Sequence, residues 1–252
     1  MVEHLEKPVR ALFVAGLNLG TKKSGADQFL DCLKQYEPEA IYLIGDMLAY
    51  REWKSSFSWP QAHNDIVQKL LRQARRGAKV LYIPGDRDGF MRHYGDTELG
   101  GIKLVNDAVH HAADGKQFFV THGDAFDLVA PSLGILAKMG ARAVAVAVGI
   151  SSIIEIVARR LGLFVHGQTY GATPDRETHF VDSFAAIAIS AARAENFDGI
   201  ICGHLPHAES RIIGQQRFFS TGDWRTKPSA LVEHLDGQFE FIGVGQPVFR
   251  TA

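Results

Sequence analysis

Ile41-Tyr42-Leu43-Ile44-Gly45-Asp46-Met47-Leu48 is the stretch whose reading decides the fold. Four apolar residues run into Gly-Asp, and an apolar pair follows. A short continuous apolar run bounded by a turn residue reads as a strand buried on both faces. The loop after it presents a carboxylate at the carboxyl end of the strand, where open α/β sheets carry their chemistry. Three more junctions repeat the pattern: Val80-Leu81-Tyr82-Ile83-Pro84-Gly85-Asp86-Arg87-Asp88, Phe118-Phe119-Val120-Thr121-His122-Gly123-Asp124 and Gly199-Ile200-Ile201-Cys202-Gly203-His204. Each is an apolar run, then a small or turn residue, then Asp or His. Four such ends converging would form a metal site with Asp46 at its centre.

The 252 residues fit one large α/β domain, or one domain carrying an insertion. With 46% hydrophobic residues the chain can build a sizeable core. A net charge of −1 and the absence of a Lys/Arg block argue against a nucleic-acid binder that works by neutralising phosphates. The cysteines Cys32 and Cys202 have no paired spacing, which suits a reducing compartment. The first ten residues lack the apolar core of a signal peptide, and no stretch reaches the ~18 apolar residues that span a bilayer. A cytoplasmic protein is expected, at most peripheral to the inner membrane.

Along the chain, residues 11–15 form a first strand. The loop Gly16-Leu17-Asn18-Leu19-Gly20 has neither the dinucleotide spacing nor a following Gly-Lys-Ser/Thr. Residues 24–36 suit an amphipathic helix, with Ser24 as a cap and Pro38 helping to stop it. Residues 50–59 read as an aromatic loop, and 60–76 as a long helix opened by Pro60 and closed by Gly77. Asp114-Gly115 predicts a hairpin turn. Residues 129–163 are dominated by Ala, Val, Ile, Leu and Gly, and 129–175 is read as a helical insertion. Residues 178–193 are a further helix, and the chain after His204 is all-β.

In this order the four junctions resemble the calcineurin-like metallophosphoesterases, whose motifs run Asp-x-His, Gly-Asp-x-x-Asp, Gly-Asn-His-Asp, His-Gly-Asp and Gly-His-x-His. Within them the chain looks like the bacterial UDP-2,3-diacylglucosamine pyrophosphatases, through Trp59-Pro60-Gln61-Ala62-His63-Asn64-Asp65 and Thr221-Gly222-Asp223-Trp224. The resemblance implies a single domain over 1–252, a sandwich of two mixed sheets flanked by helices. It also implies that the 129–175 insertion is a lid that lines an acyl-chain slot or touches the membrane surface through 129–163; the competing reading of its apolar run is a helix hairpin packed on the core.

The departures carry as much as the matches. Gly16-Leu17-Asn18 stands for Asp-x-His, Ala49 for the second Asp, Asp86-Arg87-Asp88 for Asn-His-Asp, and His204-Leu205-Pro206 for His-x-His. In the family one metal takes the first motif and the last His; its counterparts here are Gly16, Asn18 and Pro206, which offer no good donor. The other metal's counterparts are Asp46, Asp86, His122 and His204, all able to bind. Two imidazoles and two carboxylates suit one divalent Mn, Fe or Zn. The competing reading is a metal-free site in which these residues and Arg87 bond one another. Arg87, where the family has an assisting His, cannot donate a proton at working pH. It either binds a phosphate bidentately or closes the pocket through a salt bridge to Asp46 or Asp88.

Two-metal catalysis stabilises both charged oxygens of the displacement, and one metal leaves most of that out. The sequence therefore reads first as a degenerate pseudoenzyme that binds an acylated or nucleotide-linked small molecule. The alternative is a weakened, mononuclear phosphoester or pyrophosphate hydrolase, and other metal-dependent chemistry on the same scaffold stays open.

Overall fold

The structure is a computed structural model that describes residues 6–128, 174–225, 227–243 and 249–250. The proposed insertion at 129–175 lies almost wholly outside the described residues. The chain opens with strand β1 (Lys7–Val14), helix α1 (Ala26–Leu33), β2 (Tyr36–Ile44), helices α2 (Tyr50–Ser56) and α3 (Gln61–Arg75), and β3 (Lys79–Ile83). A 3-10 turn at Gly89–Tyr94 leads to β4 (Glu98–Leu99), β5 (Ile102–Leu104), β6 (Ala108–His111) and β7 (Gln117–Thr121). Helix α4 (Pro174–Ala194) precedes β8 (Gly199–Cys202), β9 (Ala208–Ile213), β10 (Gln216–Thr221), β11 (Ser229–Glu233), β12 (Phe239–Gly243) and β13 (Phe249–Arg250).

Among the described residues the strands form two mixed sheets. The larger runs β13-β12-β11-β1-β2-β3-β5-β4 and the smaller β6-β7-β8-β10-β9. Their centres are parallel, β1 with β2 and β2 with β3 in one, β7 with β8 and β8 with β10 in the other. Parallel strands are covered on both faces, which is why these segments read as unbroken apolar runs. Three hydrophobic layers result. Leu12, Leu43 and Val80 pack towards Phe29 and Ile66 of α1 and α3. Phe13, Ile44 and Leu81 meet Phe118, Ile201 and Phe219 between the sheets. Ile200 and Phe218 pack on Phe184 and Ala188 of α4.

A polar chain crosses the inter-sheet layer. The Tyr42 hydroxyl lies 3.1 Å from His110 Nδ1, His110 Nε2 lies 2.7 Å from Glu233 Oε2, and Ala113 N–H donates to Glu233 Oε1 at 2.7 Å. Burial and the nearby Glu233 carboxylate push the Tyr42 phenol up to about 12, so it stays a hydroxyl.

Two expectations are corrected. The helix expected over 24–36 is shorter, and Tyr36 and Pro38 belong to β2. Ser24 does not cap it: the capping position is Gly25, and Ser24 Oγ donates to the Leu17 carbonyl at 2.8 Å. Pro38 is tolerated because β3 joins the register only at Ala40, so no neighbour on that side needs its missing N–H. The aromatic segment 50–59 contains α2, a seven-residue helix with no buried residue.

Candidate metal centre

All the chemistry-bearing residues sit at carboxyl ends of parallel strands. Asp46 follows β2, Asp86 follows β3, His122 follows β7 and His204 follows β8. The two sheets bring these ends together at one edge of the sandwich. There His122, from the smaller sheet, places its Nδ1 3.1 Å from the carbonyl of Ile44 in the larger one. The glycines ahead of the acids permit that approach. A Cβ on Gly45, at φ +78°, would lie 2.0 Å from His122 Nδ1, and one on Gly85 would lie 2.4 Å from Asp46 Oδ1. The Gly-Asp pairs are therefore there to admit an imidazole between two strand ends.

Asp86, His122 and His204 each offer one ligand atom, and these atoms lie within 4.8 Å of one another. Each imidazole has one nitrogen already engaged. The Nδ1–H of His122 donates to the Ile44 carbonyl, and the Nε2–H of His204 donates to Asp127 Oδ2 at 2.8 Å. The inward atoms, His122 Nε2 and His204 Nδ1, face each other at 3.3 Å. Asp86 Oδ1 lies 3.6 Å from His122 Nε2, while its Oδ2 is held by Arg51 Nη1 at 2.9 Å. These three atoms, gathered within 4.8 Å, are suited to share a positive charge, a proton or a cation. Orientation of a ligating imidazole by a carbonyl or carboxylate on its other nitrogen is the usual arrangement at metal sites.

The electrostatics agree. Burial disfavours an imidazolium at His122, but the carboxylates of Asp46, Asp86 and Asp124 outweigh it and hold the ring up at about 10. Burial likewise pulls on His204, and its bond to Asp127 raises it instead. At Asp86 burial is overcome by the hydrogen bond and charge of His122, and the carboxyl stays well below the usual range. In the absence of a metal the pocket holds protons in its place.

Asp46 stands beside this group rather than at its centre. Its Oδ1 lies 3.9 Å from His122 Nε2 and accepts the Arg87 backbone N–H at 2.9 Å, while its Oδ2 pairs with Arg87 Nε at 3.2 Å. Burial pushes its carboxyl up to about 6 against the pull of His122. Of the two roles open to Arg87, the salt bridge to Asp46 is the one present. Its Nη1 also binds Glu52 of α2.

The positions of the other motif are filled by the chain itself. Gly16 is at φ +67°, and a Cβ there would lie 2.7 Å from Asp223 Cβ. Asn18 is 1% exposed and turns back, its Nδ2 donating to the Gly16 carbonyl at 2.6 Å. The Pro206 carbonyl accepts the Asp223 N–H at 3.3 Å. His63, from the stretch that carries part of the resemblance, accepts the Gly20 N–H at 3.2 Å and so anchors the far end of this loop.

Three contributors escaped the sequence reading, and a fourth, Asp88, was expected only as a possible partner of Arg87. Asp88, fully buried, gathers the N–H groups of Gly85, Met47 and Leu48 at 2.6, 2.8 and 3.2 Å and the Tyr82 hydroxyl at 2.5 Å, binding the Asp46 loop to the Asp86 loop. Asp127 orients His204, and Arg51 and Glu52 reach in from α2. Only Asp88 had a local signal, as the third residue after Gly85 at a strand end.

No family model matches the chain. Among curated proteins it is similar to the UDP-2,3-diacylglucosamine hydrolase of Azotobacter vinelandii, 28% identical over 116 residues, 45% of this chain and 47% of that protein. The match thus spans about half the length of the curated relative. Among solved structures, a hypothetical protein of Pyrococcus horikoshii aligns with a TM-score of 0.51 and 12% identity over 95% of this chain and 89% of that one. Vps29 of Entamoeba histolytica, solved in complex with zinc, aligns with a TM-score of 0.45 and 12% identity over 96% and 97%.

Proposed function

We propose that this chain, which has the calcineurin-like metallophosphoesterase fold, holds one divalent transition metal and binds a phosphoester without the two-metal hydrolysis that its fold supports elsewhere. The observation that carries the reading is the pair of imidazole nitrogens that face each other at 3.3 Å, each ring oriented by a partner on its other side, with Asp86 beside them. Asp86, His122 and His204 are the donors, with Asp46 as the fourth within reach. Two imidazoles with carboxylates suit Mn, Fe or Zn. When bound, such a metal supplies a Lewis acid for a phosphoryl oxygen.

The second position is argued against by what fills it. Gly16 and Pro206 offer no side-chain donor, Asn18 gives its Nδ2 to its own loop and has only a neutral amide oxygen left, and Arg87 occupies the free side of Asp46. A guanidinium there can neutralise Asp46 and hold a phosphate oxygen, but it cannot activate water. The ligand class we assign, an acylated or nucleotide-linked sugar phosphoester, rests on the match with the Azotobacter hydrolase. That same match favours a second reading, a weakened mononuclear hydrolase.

Elemental analysis after incubation with Mn and Zn and removal of excess is expected to give at most one metal per chain. His122→Ala is expected to abolish it, and Asp46→Asn to weaken it while leaving the stoichiometry unchanged at saturation. A thermal melt should rise with added Mn in the wild type and stay flat in His122→Ala. Two metals per chain would overturn the reading. Turnover of a UDP-linked diacyl sugar within about tenfold of the Azotobacter hydrolase, roughly 1.4 kcal/mol in barrier, would decide for the hydrolase instead.

A further inference from the structure

A sheet edge exposes a row of unpaired N–H and C=O groups, and proteins blunt such edges by keeping them short, bulged or interrupted by proline. Among the described residues the two sheets end in β4, β13, β6 and β9. β4 and β13 are two residues long and β6 is four, but β9 runs for six, Ala208–Ile213. It contains no proline, and its register with β10 runs from Ile213↔Gln216 to Ala208↔Thr221 without a bulge. The turn decides which of its backbone groups are free. Two residues, Gly214 at φ +67° and Gln215, join β9 to β10, so Ile213 and Gln216 are the hydrogen-bonded pair that closes the hairpin. The alternation of an antiparallel ladder then turns the backbone groups of Arg211 and Glu209 towards β10, and those of Ile212, Ser210 and Ala208 outwards. The side chains alternate as well. Ile213 packs on the apolar residues of α4, and on the same face Arg211 pairs with Asp182 of α4 and with Glu209. Ala208, Ser210 and Ile212 are exposed, Ile212 at 67%.

We propose that β9 is the contact strand of a two-fold dimer of this chain, running antiparallel to its copy and centred on Ser210. In that register every outward-facing residue meets another: Ser210 meets the partner's Ser210, and Ala208 meets the partner's Ile212. A slip by one residue would set outward-facing groups against groups that β10 already uses, so the ladder itself selects the register. Between those pairs Glu209 stands opposite the partner's Arg211, twice over because of the symmetry. These are the closely spaced pairs without hydrogen bonds, where side chains lie nearest and opposite charges attract. The two charges that would repel a foreign strand of uniform sign are thus complementary to the chain's own copy. Pairing of this kind joins the two smaller sheets into one continuous sheet and leaves the metal donors outside the contact.

Sedimentation velocity on the full chain, from about 1 μM to about 1 mM, is expected to show a monomer–dimer equilibrium. Ser210→Pro removes an outward N–H that β10 does not use, so the fold should tolerate it. It should raise the dimer dissociation constant at least about tenfold, since a hydrogen bond is lost on each copy. Glu209→Arg and Arg211→Glu each set like charges opposite one another, and each should be monomeric. An equimolar mixture of the two should recover a heterodimer, because every cross-strand pair then joins opposite charges. Ser210→Cys supplies a readout that does not depend on affinity. The Cα atoms of a hydrogen-bonded pair, about 5.5 Å apart, lie within disulfide reach, and Cys32 and Cys202 are buried, so air oxidation should cross-link this variant into a covalent dimer. A chain that is monomeric at every concentration would overturn the proposal, as would a dimer unmoved by Ser210→Pro or a Ser210→Cys variant that fails to cross-link. Melting curves alongside identify any charge-reversal variant that fails to fold, and the cross-link then decides.

Discussion

Asp127 Oδ2 lies 2.8 Å from His204 Nε2, and that contact turns the other nitrogen of the ring towards His122. Asp127 touches no other member of the donor group, so its effect is carried through the imidazole. Asp127→Asn should leave the fold intact while raising the metal dissociation constant by about 10- to 100-fold, the usual cost of losing an outer partner of a ligating histidine. Calorimetric titration with Zn checks it. A dissociation constant within twofold of the wild type would show that His204 does not need this orientation.

Asp88 makes a separate prediction. Its carboxylate satisfies three backbone N–H groups at 3.2 Å or less and a phenol. Asn keeps one acceptor oxygen and brings an NH2 group that faces donors. Asp88→Asn should therefore cost about 3 kcal/mol in urea unfolding. It should also lower metal affinity, since it is Asp88 that holds the Asp46 and Asp86 loops in register.

Restoring the missing motif one residue at a time should fail. At Gly16 the backbone is left-handed and a Cβ would press on Asp223. Gly16→Asp is expected to destabilise the chain by roughly 2–3 kcal/mol, without adding a second metal. Unfolding curves and elemental analysis on the same sample check both halves. A second metal in this variant would mean that the loop rearranges readily.

Much of this was legible beforehand because parallel strands with both faces covered leave an unmistakable trace. Leu12 to Val14, Ile41 to Ile44 and Ile200 to Cys202 are unbroken apolar runs, and the residue types at their ends fixed which loops could carry donors. The pairing of Asp86, His122 and His204 followed from those ends. What escaped were interactions without local periodicity. Helix α2 has no apolar stripe, so Tyr50 to Trp59 looked like a loop, and its Arg51 and Glu52 could not be placed at the site. Tyr36 and Pro38 read as the end of a helix because nothing local reveals that one side of β2 is unpaired there. Asp46 was expected at the centre, but Arg87, 41 positions away, engages both its oxygens, Oδ1 through the backbone N–H and Oδ2 through Nε, and draws it aside.

Two adjacent residues of α2 carry opposite charges to opposite destinations: Arg51 to Asp86 among the metal donors, Glu52 to the guanidiniums of Arg87 and Arg225. Asp86 lies at the end of β3 and Arg225 in the segment after β10, so the two ties reach both sheets. The helix is held besides through Trp53, whose Nε1–H donates to the Leu19 carbonyl at 3.3 Å, and through Tyr50, whose ring packs on Phe90. One seven-residue helix thus braces two strand-end loops and the Arg225 segment against each other, and hydrogen exchange across it should rise most when Arg51 and Glu52 are both replaced.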